Sequence, residues 1–135
     1  MNELNRIKKI LKNADIEFET ESLGEYDMIK LTSSAENSPF IITSYPVDNN
    51  EIRTRAIQFY FEFTPSSKFS KDELNELLFN KIKELPYGHL NFYQKKVYYK
   101  YVLICIEKDI KEEVIFDILN VMNYSLDVVI AELIN

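Results

Sequence analysis

The stretch "AIQFYFEF", residues 56–63, sets Ile57, Phe59, Phe61 and Phe63 on alternate positions, with Ala56, Gln58, Tyr60 and Glu62 between them. A β-strand points successive side chains to opposite faces, so this run makes one face wholly apolar. A helix would scatter the same four residues around its circumference. No other constraint in the chain is as strong. A strand so apolar on one side belongs in a sheet whose apolar face is covered by other elements, and Pro65 ends it.

The rest of the chain supplies partners and cover. Leu4, Ile7 and Leu11 recur at helical spacing, with Ile10 widening the stripe and Asn13 as a stop. In "DIEFETES", residues 15–22, Ile16 and Phe18 alternate with Glu17, Glu19 and Glu21, which predicts a strand with one wet acidic face. Gly24 and Glu25 turn the chain into a hairpin partner over residues 26–31. A polar loop, "SSAENS", precedes the strand "PFIITSY", and "PVDNN" turns the chain into the phenylalanine-rich fourth strand.

Ser70 and Glu73 have the spacing of a capping box, with Phe69 and Leu74 placed as a hydrophobic staple. Leu74, Leu77, Leu78 and Ile82 then form the expected buried stripe of a helix that Pro86 stops near Leu85. "HLNFY" and "VYYKYVLICI" read as a hairpin around Gln94-Lys95-Lys96, with Gly88 relaxing the backbone ahead of it. Asp109 and Glu112 repeat the cap spacing. Apolar residues from Ile115 to Leu133 line one stripe of a helix over 110–133, with a bend expected at the weak helix formers Asn123-Tyr124-Ser125. The order is α-β-β-β-β-α-β-β-α, an α+β domain over 1–135 with helices on one face of an antiparallel sheet.

A chain of 135 residues can bury a core without disulfide or metal. Its formal net charge of −6 disfavours general binding to a phosphate backbone. The lone Cys105 cannot form an internal disulfide, which suits a reducing compartment. "MNELNRIKKILKNA" lacks a signal peptide's apolar run, and no window has the 18 or so apolar residues of a membrane span. These features lead to an expectation of a cytoplasmic protein.

The segment "LPYGHLNFYQKKVYYKYVLICI", residues 85–106, holds the only histidine, His89, and the only cysteine. Cysteine–histidine catalysis needs a thiolate beside a base. Cys105 instead sits between Ile104 and Ile106, where a thiol behaves as a small core residue. One His and one Cys, without CxxC or HExxH, make no ordinary zinc site, and "DNNE" at 48–51 lacks the spacing of a calcium loop. Neither a GxGxxG nor a Walker sequence occurs. The paired acids Asp72-Glu73 and Glu112-Glu113 fall in first turns of helices, where they offset the dipole. The expectation is therefore no enzyme, no metal and no cofactor. Lysines 95, 96 and 100 among Tyr93, Tyr98 and Tyr101 admit RNA stacking, but without the RNP1 pattern. An RNA-binding regulator and a small enzyme with an unrecognised site remain as alternatives.

Residues 97–106 are apolar on both sides. Val97, Tyr99, Tyr101, Leu103 and Cys105 share one face; Tyr98, Val102, Ile104 and Ile106 share the other with Lys100. If helices cover a single side, the second faces a partner or a folded-over segment, and a central strand covered on both faces is an equal contender. Tyr98, Lys100, Val102 and Ile104 are accordingly the candidate protein interface.

Several stretches carry a family likeness. "LPYGHLNF" after a helix, "KKVYYKYVLIC", and a long acid-capped helix ending "LDVVIAELI" resemble the YbjN family, whose fold is akin to the type III secretion chaperones. Asn80 stands where that family shows an asparagine ahead of its Leu-Pro-x-Gly turn, and "LKNADIEFETESLGEYDMIKL" is similar to its opening helix and hairpin. The resemblance implies a non-enzymatic, cytoplasmic protein-interaction module, chaperone-like or regulatory, that binds a protein client. Because the related chaperones are acidic homodimers, it also implies a homodimer.

Overall fold

The computed structural model describes residues 3–23, 26–32, 39–46, 54–106 and 110–134. The chain folds as α1 (Glu3–Asn13), β1 (Phe18–Leu23), β2 (Tyr26–Leu31), β3 (Phe40–Pro46), β4 (Thr54–Phe63), α2 (Lys71–Glu84), β5 (His89–Tyr93), β6 (Lys96–Ile106) and α3 (Glu112–Tyr124). A π-helical turn, Ser125–Val129, and the short α4 (Ala131–Ile134) follow. The six strands form one antiparallel sheet in the order β1-β2-β3-β4-β6-β5. The expected α+β architecture is what forms. The turns expected at Gly24-Glu25 and "PVDNN", the loop "SSAENS" and the cap residue Asp109 lie wholly or mostly outside the described residues.

The apolar stripe of β4 is the centre of the core. Ile57, Phe59, Phe61 and Phe63 are all buried, beneath Leu4, Ile7 and Leu11 of α1, Leu74 and Leu78 of α2, and Ile115, Ile118 and Met122 of α3. One apolar cluster thus joins one face of the sheet to every helix. Its middle is a ring stack: Phe61 lies 4.9 Å from Tyr99 at an interplanar angle of 8° and 5.4 Å from Phe40.

Helix starts and stops follow local chemistry. Ser70 Oγ accepts from the Glu73 amide at 3.2 Å, and the Ser70 amide donates to Glu73 Oε1 at 3.3 Å, completing the capping box. Leu85 is extended ahead of Pro86, and α2 ends there. Ser70→Ala removes one acceptor from the helix start and lowers stability by about 0.5–2 kcal/mol, read as a shift in the denaturant midpoint at constant slope; an unchanged midpoint refutes the cap.

Four local expectations are corrected. β1 begins at Phe18, not at Asp15, because Asp15 adopts φ 56°. Its amide donates to the Lys12 carbonyl and that of Ile16 to the Leu11 carbonyl, the Schellman pattern that closes a helix. Ile82 is exposed; the stripe of α2 runs instead through Lys81, whose ammonium meets Glu132 Oε1 of α4 at 2.6 Å, to Leu85. The hairpin turn has two residues, Gln94 and Lys95, both at positive φ, and Lys96 pairs with Tyr93 in the ladder. The C-terminal helix starts at Glu112 with Lys111 as its N-cap and no side-chain cap bond, in place of the Asp109–Glu112 cap expected, and it breaks. Ser125 Oγ donates to the Val121 carbonyl at 2.8 Å, and a π-turn then leads to Ile130 at φ −108°, ψ 7°. Such back-bonding competes with the helical ladder, which is the physical content of the bend expected at Asn123-Tyr124-Ser125.

Candidate functional site

The even positions of β4 and β6 point away from the helices. Register places Glu19, Lys30, Ile41, Tyr60, Lys100 and His89 in one row across all six strands. The next row runs Glu21, Met28, Thr43, Gln58 and Val102. Glu19 and Glu21 thus stand at the β1 end of this open face, with Lys30 opposite Glu19, and Lys100 and His89 stand at the β5 end. All four candidate interface residues fall on this face. Tyr98 is half-buried and Lys100 exposed, while Val102 and Ile104 are 38% and 68% exposed. The same strand's Val97 and Tyr99 are fully buried on the other side. β6 is thus apolar on both faces, and among the described residues no helix covers the second.

At the β5 end the open face dips into a hollow of about 470 Å³. Its walls are the rings of Tyr60, Tyr93 and Tyr98, its amides are Gln58 and Asn91, and its nitrogen donors are His89 and Lys100. Among the described residues no carboxylate lines it. The nearest in register, Glu62, pairs across the ladder with Tyr98, and it is occupied: Lys96 Nζ donates to Glu62 Oε1 at 3.0 Å, which holds the Lys96 ammonium above its ordinary pKa. Lys100 has no carboxylate partner among the described residues.

Sequence reasoning placed Tyr93, Tyr98 and Lys100 together but missed Gln58, Tyr60 and Asn91. It also grouped with them residues that belong elsewhere. Tyr101 lies on the core face, edge-on to Phe59 at 6.4 Å, Lys95 sits in the turn, and Lys96 is paired with Glu62. The missing signal was that β4 and β6 adjoin. His89 lies opposite Lys100, whereas Cys105 lies opposite Arg55. The two are thus about 17 Å of strand apart, at about 3.4 Å per residue. Among the described residues no group of three or more His, Cys, Asp or Glu is placed to hold a metal ion, and no helix is long and apolar enough to cross a membrane.

The turn feeding β5 is built around Tyr99. Its hydroxyl donates to the Tyr87 carbonyl at 2.9 Å and meets the Ser125 hydroxyl. This joins the Leu-Pro-Tyr-Gly turn to the π-turn. Burial pushes the Tyr99 phenol above its usual pKa near 10, the Ser125 hydroxyl acts in the opposite sense, and Tyr101 adds to the rise. On the open face burial also raises Tyr60, with Glu62, Tyr98 and Glu21 adding to it.

A folded-state pKa above the unfolded value means that each phenol's contribution is complete below about pH 10. It is lost as the unfolded chain ionises and pH rises through the folded value. Stability measured by denaturant unfolding is expected to fall between about pH 9 and 11, and to fall less steeply in Tyr99→Phe and Tyr60→Phe. An identical slope in both variants contradicts the assignment.

A scan against protein-family models gives no match, and neither does a comparison with curated proteins. The resemblance to the YbjN family rests on the residues quoted for it.

Proposed function

We propose that this chain is a non-enzymatic protein-interaction module, a chaperone-like or regulatory adaptor of YbjN type, whose docking surface is the open face of the sheet. One observation carries the reading: Val102 and Ile104, at 38% and 68% exposure, stand on the side of β6 that no helix among the described residues covers. Large apolar side chains left exposed side by side on a sheet face suit an association site. A second copy of the chain is the occupant the reading commits to, with the protein client held by the resulting dimer. Twofold pairing is the commonest symmetry of soluble oligomers. The pairing is centred on Val102 and Ile104, with Tyr98 towards its rim. A stable interface of this kind buries about 1,200–2,000 Å² in total.

Size exclusion coupled to light scattering tests the pairing. The wild type is expected to have a dimer's mass at tens of micromolar, and Val102→Lys, a charge set in a dry contact, a monomer's mass with the fold intact. A monomeric wild type sinks the dimer. Affinity capture from the native cell, scored by mass spectrometry, tests the client. A reproducible protein lost on Val102→Lys supports the reading, and recovery of RNA in its place refutes it.

A further inference from the structure

The hollow at the β5 end has a chemistry that protein docking does not require. An acidic chain, with 22 Asp and Glu against 16 Lys and Arg, surrounds a depression with no acid among the described residues of its lining. Glu62, the carboxylate that register would bring to its rim, is held by Lys96. Lys100 and His89 stand directly opposite each other on β6 and β5. Two nitrogen donors side by side, with no facing carboxylate among the described residues, are best satisfied by an anion with more than one oxygen. Lysine serves phosphate as a compact point charge.

Three phenol rings add flat faces on which a planar ring can stack. Gln58 and Asn91 each offer an acceptor and donors side by side, matching the alternating donor and acceptor edge of a nucleobase. The volume, about 470 Å³, falls within the roughly 300–1,000 Å³ of small-molecule sites. A polyanion is a poor occupant. Affinity for a nucleic-acid strand grows with the number of phosphates neutralised, and here two nitrogen donors stand in a chain of net charge −6.

We infer that this hollow binds a nucleoside monophosphate: the base stacks on Tyr98 and Tyr93, its edge meets Asn91 or Gln58, and its phosphate meets Lys100 and His89. The inference goes beyond the docking proposal and does not depend on it.

The experiment is titration of the wild-type chain with adenosine and uridine 5′-monophosphates, followed by calorimetry and by NMR shifts of the β5 and β6 amides. Ribose 5-phosphate, adenosine and a short single-stranded RNA serve as comparison ligands. At least one monophosphate is expected to bind saturably, with Kd about 1 mM or tighter. Lys100→Gln and Tyr98→Leu, both with native circular dichroism, should each weaken it by about tenfold, the order of one stacked base. Ribose 5-phosphate and adenosine should each bind at least about tenfold more weakly than the preferred monophosphate.

Absence of saturable binding by either monophosphate up to about 10 mM overturns the inference. Equal binding of ribose 5-phosphate overturns it too, since the rings would then have no role. Tighter binding of the RNA overturns it in favour of a strand-binding surface. The dimer mass and the captured client are read separately, on the wild type and Val102→Lys, so failure here is distinguishable from failure of the docking proposal.

Discussion

Phe61→Ala is expected to lower the stability of the fold by about 3–5 kcal/mol, as truncation of a buried aromatic does. Phe61 is fully buried and sits between two other rings, 4.9 Å from Tyr99 and 5.4 Å from Phe40, with Phe63 at 6.5 Å. Removing the ring loses its transfer free energy and leaves a cavity whose walls belong to three strands locked in register. Those walls cannot collapse without breaking the β3–β4–β6 ladders. Denaturant unfolding should place the loss well above that of Ser70→Ala. The opposite order would mean that β4 is not the central core strand.

Gly88→Ala is the second large effect, at about 2–5 kcal/mol, and it comes from backbone and contact together. Gly88 adopts φ 95°, where an L-residue costs about 1–2 kcal/mol. A Cβ added there would fall 2.5 Å from Cζ and Oη of Tyr99, and overpacking of that kind costs about 1–3 kcal/mol more. The ring has no room to retreat, since its other side is stacked on Phe61 and its hydroxyl is bonded to the Tyr87 carbonyl. Loss of the turn should appear as increased amide exchange across β5. A midpoint within about 0.5 kcal/mol of wild type, the range of an inconsequential surface change, would show that this turn is not built around glycine.

The same residues mark what the sequence discloses and what it withholds. The alternation in β4 and the cap at Ser70 are local signals: the first is periodicity, and the second is four consecutive residues. Both formed as read. Ile82 was misplaced because residue type stood in for geometry. The position that completes the stripe after Leu74 and Leu78 belongs to Lys81, whose stem packs inward because Glu132, far along the chain, receives its charge. Nothing local encodes that partner. That Tyr98, Lys100, Val102 and Ile104 share one face was legible, since alternation alone sorts them. The hollow was not, because it needs β4 beside β6, a pairing made across residues 64–96.

That pairing also governs the order in which the molecule can assemble. β1 to β4 form a meander of neighbouring antiparallel strands, whose contacts close over short stretches of chain. The junction of Phe63 with Val97 closes over a helix and another strand, and long-range pairing is the slow part of a folding reaction. During synthesis β4 therefore waits as an edge strand, with its hydrogen-bonding groups and its row of phenylalanines open to other chains, until residues 96–106 have emerged. An open apolar edge is a template for aggregation. The hazard at β4 thus belongs to the nascent chain, and it ends when β6 docks.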